Sequence, residues 1–377
     1  MNRTSIALGS VLLLILLAFG GGWYIDRVNR HHPAAWPMIQ GDAGNRFATR
    51  ATFPQSPEVL FTLPLDEPPA SPPVIGEDGT IYLLALDGLT AVDEQGRKRW
   101  TWRSKERLFT ATLGRHGDIY VVEEGGVAAV DRDGRLTWRL PIEIQAIAGP
   151  LLVGQGGVIY LTTERALYAI SPEGRVRWSY EAGPILTWPV EAPDGKLLLV
   201  TQRDELVAFA PNGEQAWTRE VAPLVGRAMA VSADGRLYYR HERGLLILNS
   251  ADGRSLQEVE RPTARAFNLS IGKGFVQDGL NRFELDGRPL WSQDPAEETV
   301  AMVTYLDARG NLLLYRVGRA EGRSPYRLAM LDAGGEEAWV FEEVAPVTLP
   351  AIGRDGRICL VGRKDGEGYS LVCIGQK

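Results

Sequence analysis

Short runs of β-branched and aromatic residues, each opened by a glycine, recur along most of the chain. They read Gly79-Thr80-Ile81-Tyr82, Gly117-Asp118-Ile119-Tyr120, Gly157-Val158-Ile159-Tyr160, Gly195-Lys196-Leu197-Leu198 and Gly235-Arg236-Leu237-Tyr238, with weaker copies at Gly274, Gly310 and Gly356. The intervals are 38, 40, 38, 40, 39, 36 and 46 residues, room for four short strands and their turns. A second marker keeps step: a turn glycine is followed four residues later by tryptophan at Trp100, Trp138, Trp178, Trp217, Trp291 and Trp339, and Gly253 by Gln257. A repeat of this length, with tight turns and no helical period, predicts one propeller blade per interval.

The last copy runs from Gly356 to Ile374 and stops before an outer strand could form. Pro57-Glu58-Val59-Leu60-Phe61-Thr62-Leu63 resembles the missing strand, and Pro72-Pro73-Val74-Ile75 the first inner one. Pairing the two ends closes the ring and removes exposed sheet edges. The fold class is therefore all-β, an eight-bladed β-propeller of four-stranded blades, preceded by one N-terminal transmembrane helix or signal segment. Its boundaries are 1–30 for the anchor or signal, 31–56 for a linker and lead-in, and 57–377 for the propeller.

From Ser5 to Ile25 no residue is charged, and the run includes Val11-Leu12-Leu13-Leu14-Ile15-Leu16-Leu17; about 20 such residues cross a hydrocarbon core. Membrane engagement through residues 5–25 is expected, as a retained anchor with a propeller outside the cytoplasm, periplasmic or extracellular. Small residues at Ala18-Phe19-Gly20 also fit a cleaved signal, which would make the protein secreted. No cysteine follows at a lipid-attachment position.

Charge and composition narrow the function classes. The formal net charge of −6 becomes −8 beyond residue 30, because Arg3, Arg27 and Arg30 leave with a single acid, Asp26. An acidic body argues against nucleic acid, and the one basic run, Arg97-Lys98-Arg99, reads as a solvated strand edge. His31, His32, His116 and His241 lack metal-ligand spacing. Asp131-Arg132-Asp133-Gly134 starts like a calcium loop but lacks the later ligands, so it reads as a turn. No metal, cofactor or catalytic residue is expected.

The opening Trp36-Pro37-Met38-Ile39-Gln40-Gly41-Asp42, with Ala91-Val92-Asp93 to Trp100, Ala129-Val130-Asp131 to Trp138 and Ala169-Ile170 to Trp178, resembles the pyrroloquinoline-quinone-like repeat family over roughly residues 36 to 377. These motifs look like its tryptophan-docking repeat, although the turn is usually one residue shorter here. The resemblance implies that the tryptophans dock neighbouring blades. Enzymes of that family hold their quinone against a disulfide of adjacent cysteines, with a metal ion and an acidic base. This chain has only Cys359 and Cys373, so it resembles the BamB-type assembly-factor branch more than the quinoprotein dehydrogenases. Those cysteines fall in neighbouring strands, where a disulfide and two free buried thiols are both compatible with the pattern.

The expectation is a non-catalytic, membrane-tethered scaffold for protein partners or an envelope polymer. A small quinone-dependent oxidoreductase and a ligand-sensing propeller are the alternatives. Side chains for contact would come from turns between second and third strands, at Asp87-Gly88, Glu123-Glu124, Glu164-Arg165, Arg203-Asp204 and Glu242-Arg243. Interblade loops at 103–107 and 185–188 are expected to line the other passage. Trp188, outside the docking register, is the candidate exposed anchor.

Overall fold

The inner strands of a blade are buried on both faces, as in Ile119–Glu123 and Gly126–Val130, whereas the outer strands alternate half-buried and exposed residues, as in Leu136–Pro141; Gly134, at φ +82°, ends the turn between the third and outer strands. The computed structural model describes residues 34–376 except 145–146, 148, 182–184, 186, 261–265, 294–298, 319–325 and 364–367. Their strands assemble into eight sheets. Blade 1 comprises Val74–Ile75, Ile81–Leu84, Gly88–Val92 and Lys98–Arg103, paired antiparallel in that order from the axis outward. Blades 2 to 7 repeat the plan over 108–141, 152–181, 190–220, 224–260, 269–292 and 299–341. The expected eight-bladed, all-β propeller is therefore present. Among the described residues no helix is long and apolar enough to cross a membrane, and the uncharged run 5–25 lies outside them.

Blade 8 is built from both ends of the sequence. Its inner strand is split into Ala345–Pro346 and Ala351–Ile352, both pairing with Ile358–Arg363, which pairs with Tyr369–Gly375. Glu58–Pro64 then adds as the outer strand, with Phe61 opposite Cys373 and Leu63 opposite Leu371. Cys359 and Cys373 are directly opposite in the register, fully buried and joined by a disulfide. The bond closes a loop of 14 residues, so the double variant Cys359→Ala/Cys373→Ala is expected to lose about 3 kcal/mol in urea unfolding. A loss near zero would mean that the loop is already ordered without the bond.

One row of side chains explains how blades seat on each other. In blades 1 to 3 a second-strand tyrosine, a third-strand alanine and an outer-strand tryptophan lie side by side, as in Tyr120, Ala129 and Trp138. The Tyr120 and Trp138 rings are 5.8 Å apart. Each indole projects over the third-to-outer turn of the next blade, where a Cβ on Gly174 would lie 2.6 Å from Trp138. No other residue fits beneath that ring. The indole N–H donates to a carbonyl of the same turn: Trp100 to Arg132 at 2.8 Å, Trp138 to Pro172 at 2.9 Å, Trp178 to Pro211 at 3.1 Å and Trp217 to Ser250 at 3.2 Å.

Where the indole is absent or displaced, another donor reaches the corresponding carbonyl. Blade 5 has Gln257 in the tryptophan register, and there the Tyr238 hydroxyl donates to Leu285 O at 2.8 Å. Between blades 6 and 7, Trp291 Nε1 is buried without a hydrogen bond, and Arg282 Nη1 donates to Ala333 O at 2.9 Å. That guanidinium stacks 5.0 Å above the Trp291 ring, and burial lowers its pKa to about 10. Blade 8 carries Phe61, which cannot donate, and Arg357 Nη1 supplies Glu94 O of blade 1 at 2.9 Å. Trp339 donates to Pro54 O at 2.8 Å, because Pro54 precedes the outer strand that comes from the N-terminal side.

These indoles are half-buried, since they lie at the rim of the disc. Replacing Trp138 or Trp178 with alanine is therefore expected to cost about 2 to 3 kcal/mol, below the range for a fully buried ring. Chemical denaturation reads this directly. Unchanged stability would remove the docking role.

Candidate functional site

Residues 34–53 decide which parts of the ring are accessible. In each blade the innermost strand ends at the first-to-second turn, and the segment bonds to those last residues one blade after another. Trp36 exchanges two backbone hydrogen bonds with Ile75 of blade 1, Pro37 O accepts from Leu113 of blade 2, and Ala43 O from Glu191 of blade 4. Gly44, Arg46 and Phe47 carbonyls accept from Val231, Ile271 and Leu306 of blades 5, 6 and 7 at 2.9 Å each. Met38 packs into a cluster drawn from blades 2, 3 and 4. The Phe47 amide meets Gln40 O at 3.1 Å, which joins the part of the segment beside blade 3 to the part beside blade 7. Trp36, Met38, Phe47 and Phe53 are each at most 1% exposed. The segment is thus a plug over one end of the propeller axis.

The opposite face carries the second-to-third turns and the interblade loops. Antiparallel order places second-to-third turns and interblade connections at the same end of the blades, and the hydrogen bonds confirm it. Ser104 N donates to Asp87 O at 2.9 Å, Glu124 N to Arg107 O at 2.9 Å, and Val221 N to Asp204 O at 2.9 Å. The interblade loops therefore share the face of the turns instead of lining another passage, which corrects the expectation from sequence. Within this loop face Glu124, Arg203 and Glu242 are exposed. Glu123 is buried, however, held by Arg139 Nε at 2.8 Å and by the Ser104 hydroxyl at 3.0 Å. Leu86 and Phe267 are apolar and exposed there, at 44% and 50%.

Trp188 takes a different place from the exposed anchor that its sequence position suggested. It is half-buried, and a Cβ on Gly149 of blade 3 would lie 2.5 Å from its indole. It also packs against the cluster of Trp36, Phe47, Tyr305 and blades 1, 7 and 8. Blade 4 lies opposite blade 8, so this indole reaches inward across the axis.

Arg240 and Glu191 are among the buried charged groups that the sequence reading did not single out. Arg240 is fully buried in blade 5, pairs with Asp278 of blade 6 and donates to Ala266 O; it thus supports the backbone next to Phe267. Glu191 ends the innermost strand of blade 4, where the other blades have Ile75, Leu113, Val153, Val231, Ile271, Leu306 and Ile352. Desolvation pushes its pKa up to about 7, opposed by the hydrogen bond from Gln155 N and by Arg115. Neither group was legible, because a lone Arg or Glu in a strand reads as solvated until the neighbouring blade is placed.

Among the described residues no three His, Cys, Asp or Glu side chains come together as a metal site would require. Cys359 and Cys373 are joined to each other inside blade 8, across its second and third strands, and so are not the pair of adjacent cysteines that the resemblance to quinone enzymes implies.

The structure is similar to quinohemoprotein alcohol dehydrogenase from Comamonas testosteroni (TM-score 0.69, 13% identity, 94% of this chain and 82% of that one). It is also similar to BamB from Moraxella catarrhalis (TM-score 0.61, 15% identity, 84% and 99%) and to a europium-containing methanol dehydrogenase (TM-score 0.67, 10% identity, 93% and 99%). At these identities the likeness is one of fold. No curated protein matches the sequence. The family model described as outer membrane protein assembly factor BamB matches residues 51–183 and 163–273, more than half of the sequence, and the chain belongs to that family.

Proposed function

We propose that this chain is a non-catalytic scaffold, tethered to a membrane through residues 5–25, that binds a protein partner or an envelope polymer outside the cytoplasm. The observation that carries this reading is the asymmetry of the disc. The chain's own plug covers the axis at one face, while the other presents exposed Leu86 and Phe267 among charged turns. Apolar side chains set among charges on a hydrogen-bonded rim suit protein contact. Membership of the assembly-factor family supports the same reading.

A quinone-dependent oxidoreductase is the second reading, supported by the fold shared with dehydrogenases over 94% of this chain. Titration of the full chain with pyrroloquinoline quinone and Ca²⁺, read by thermal shift and dye-linked alcohol oxidation, separates the two. The scaffold reading expects no stabilisation and no turnover. Stabilisation accompanied by turnover would replace it with the enzyme.

A further inference from the structure

The seam that closes the ring, between blades 8 and 1, is packed with smaller side chains than its neighbours. Two residues beyond the docking tryptophan, blade 1 carries Trp102 and blade 3 carries Tyr180. Trp102 is buried, with the Arg139 guanidinium of blade 2 at 5.9 Å from its ring, and the Tyr180 ring lies 4.7 Å from Phe209 of blade 4. Blade 8 has Phe61 at the docking position, over Gly96 of blade 1, and therefore Leu63 where the others have a second aromatic. The row of blade 1 turned towards it is Leu83, Thr90 and Thr101, paired side by side. The same row of blade 3 is Leu161, Tyr168 and Ser179. With small residues on both sides, a cavity of about 80 Å³ stays open against blade 1.

This cavity is amphipathic. Leu65, Pro69, Leu83 and Ala85 make an apolar wall, and the Thr90 and Thr101 hydroxyls, 3.0 Å apart, belong to the same lining. Residues 65–69 strap across to the outer strand of blade 1 through two ion pairs, Lys98 Nζ to Asp66 Oδ2 at 3.4 Å and Arg103 Nη1 to Glu67 Oε1 at 3.1 Å. Both pairs are open to solvent, so each holds the strap weakly. Arg103 Nη1 also meets Asp87 at 2.5 Å. One nitrogen thus makes both contacts, and the rest of the guanidinium fork is left for a further carboxylate. A Cβ on Gly88 would lie 3.2 Å from Arg103 Cδ, so the glycine lets this arm lie close along the third strand. The Asp66 side chain is 90% exposed and has only the long contact to Lys98 among the described residues.

We propose that this cavity binds a small aliphatic α-amino acid as its zwitterion, with the alkyl group against Leu65, Pro69 and Leu83, the carboxylate on Arg103 and the ammonium on Asp66. An apolar cavity of about 150 Å³ holds benzene, so this one has room for a branched group of about three or four carbons. Charge selects the rest of the ligand. A lone amine or a lone carboxylate parts an ion pair of the strap and replaces half of it, whereas a zwitterion gives each freed group a new partner. The site lies apart from the axis and the plug, and it is independent of what the loop face binds as a scaffold.

Saturation-transfer NMR titration of the full chain with L-valine, isobutylamine and isobutyrate tests the assignment. L-Valine is expected to saturate one site with a Kd of about 1 mM, and each half-ligand to bind about tenfold more weakly or less. Arg103→Gln and Asp66→Asn, both at exposed positions, should each weaken valine about tenfold with the thermal midpoint unchanged. Thr90→Leu, which fills the cavity and leaves the charges in place, should abolish the saturable signal. Absence of saturable valine binding would overturn the proposal. So would valine binding that any one of the three variants leaves intact, which would place the site elsewhere, or a half-ligand that binds as tightly as valine, which would remove the zwitterion.

Discussion

A chain shortened to begin at Leu65 is expected to lose the folded ring. The truncation removes the outer strand of blade 8, Glu58–Pro64, and with it the pairing to Tyr369–Gly375. It also removes Trp36, Phe47 and Phe53, each 1% exposed, and the Pro54 carbonyl that receives the Trp339 N–H. Loss of a buried Phe or Trp side chain costs about 3 to 5 kcal/mol, so three together reach the roughly 5 to 15 kcal/mol that holds a typical domain folded. Circular dichroism, gel filtration and limited proteolysis should report an expanded, protease-sensitive chain without a cooperative melt. A truncated chain that still melts cooperatively as a compact monomer would show that blade 8 closes on its remaining strands.

The second large effect is expected at Arg240. Replacing it with methionine leaves Asp278, 7% exposed, without its cation and the carbonyls of Ala266 and Val225 without their donor. Breaking a buried pair from one side costs about 3 to 5 kcal/mol, and urea unfolding is the measurement. The double variant Arg240→Met/Asp278→Leu should recover part of the loss, because no buried charge is left over. If the double variant is as unstable as the sum of the singles, the two groups act independently. Phe267 follows Ala266, whose carbonyl Arg240 holds, so changes here should also disturb the loop face.

The repeat was legible because it rests on residues with one use each. Glycine at positive φ marks the turns, and tryptophan four residues later marks the outer strand, so blade number and the borrowed outer strand followed from spacing. The substitute donors were not legible. Tyr238, Arg282 and Arg357 reach carbonyls 47, 51 and 263 residues away, and nothing in their local sequence distinguishes them from solvated strand residues. The plug was hidden for another reason: Pro37, Ala43, Gly44 and Phe47 bind the blades through carbonyls, which every residue possesses. Trp188 was correctly separated from the docking tryptophans, but its direction depended on Gly149 of the preceding blade and on the plug. The placement of interblade loops followed from strand direction alone, and counting antiparallel strands would have put them on the same face as the second-to-third turns.

The most direct test of the scaffold account is photo-crosslinking of the full chain in the cells that produce it. A photoreactive residue is placed at Phe267 or Glu124 on the loop face, or at Asp133 or Asn212 in third-to-outer turns on the plug face. The account predicts adducts with one partner from Phe267 and Glu124 and none from Asp133 and Asn212. Adducts from the plug-face positions, with none from the loop face, would contradict it.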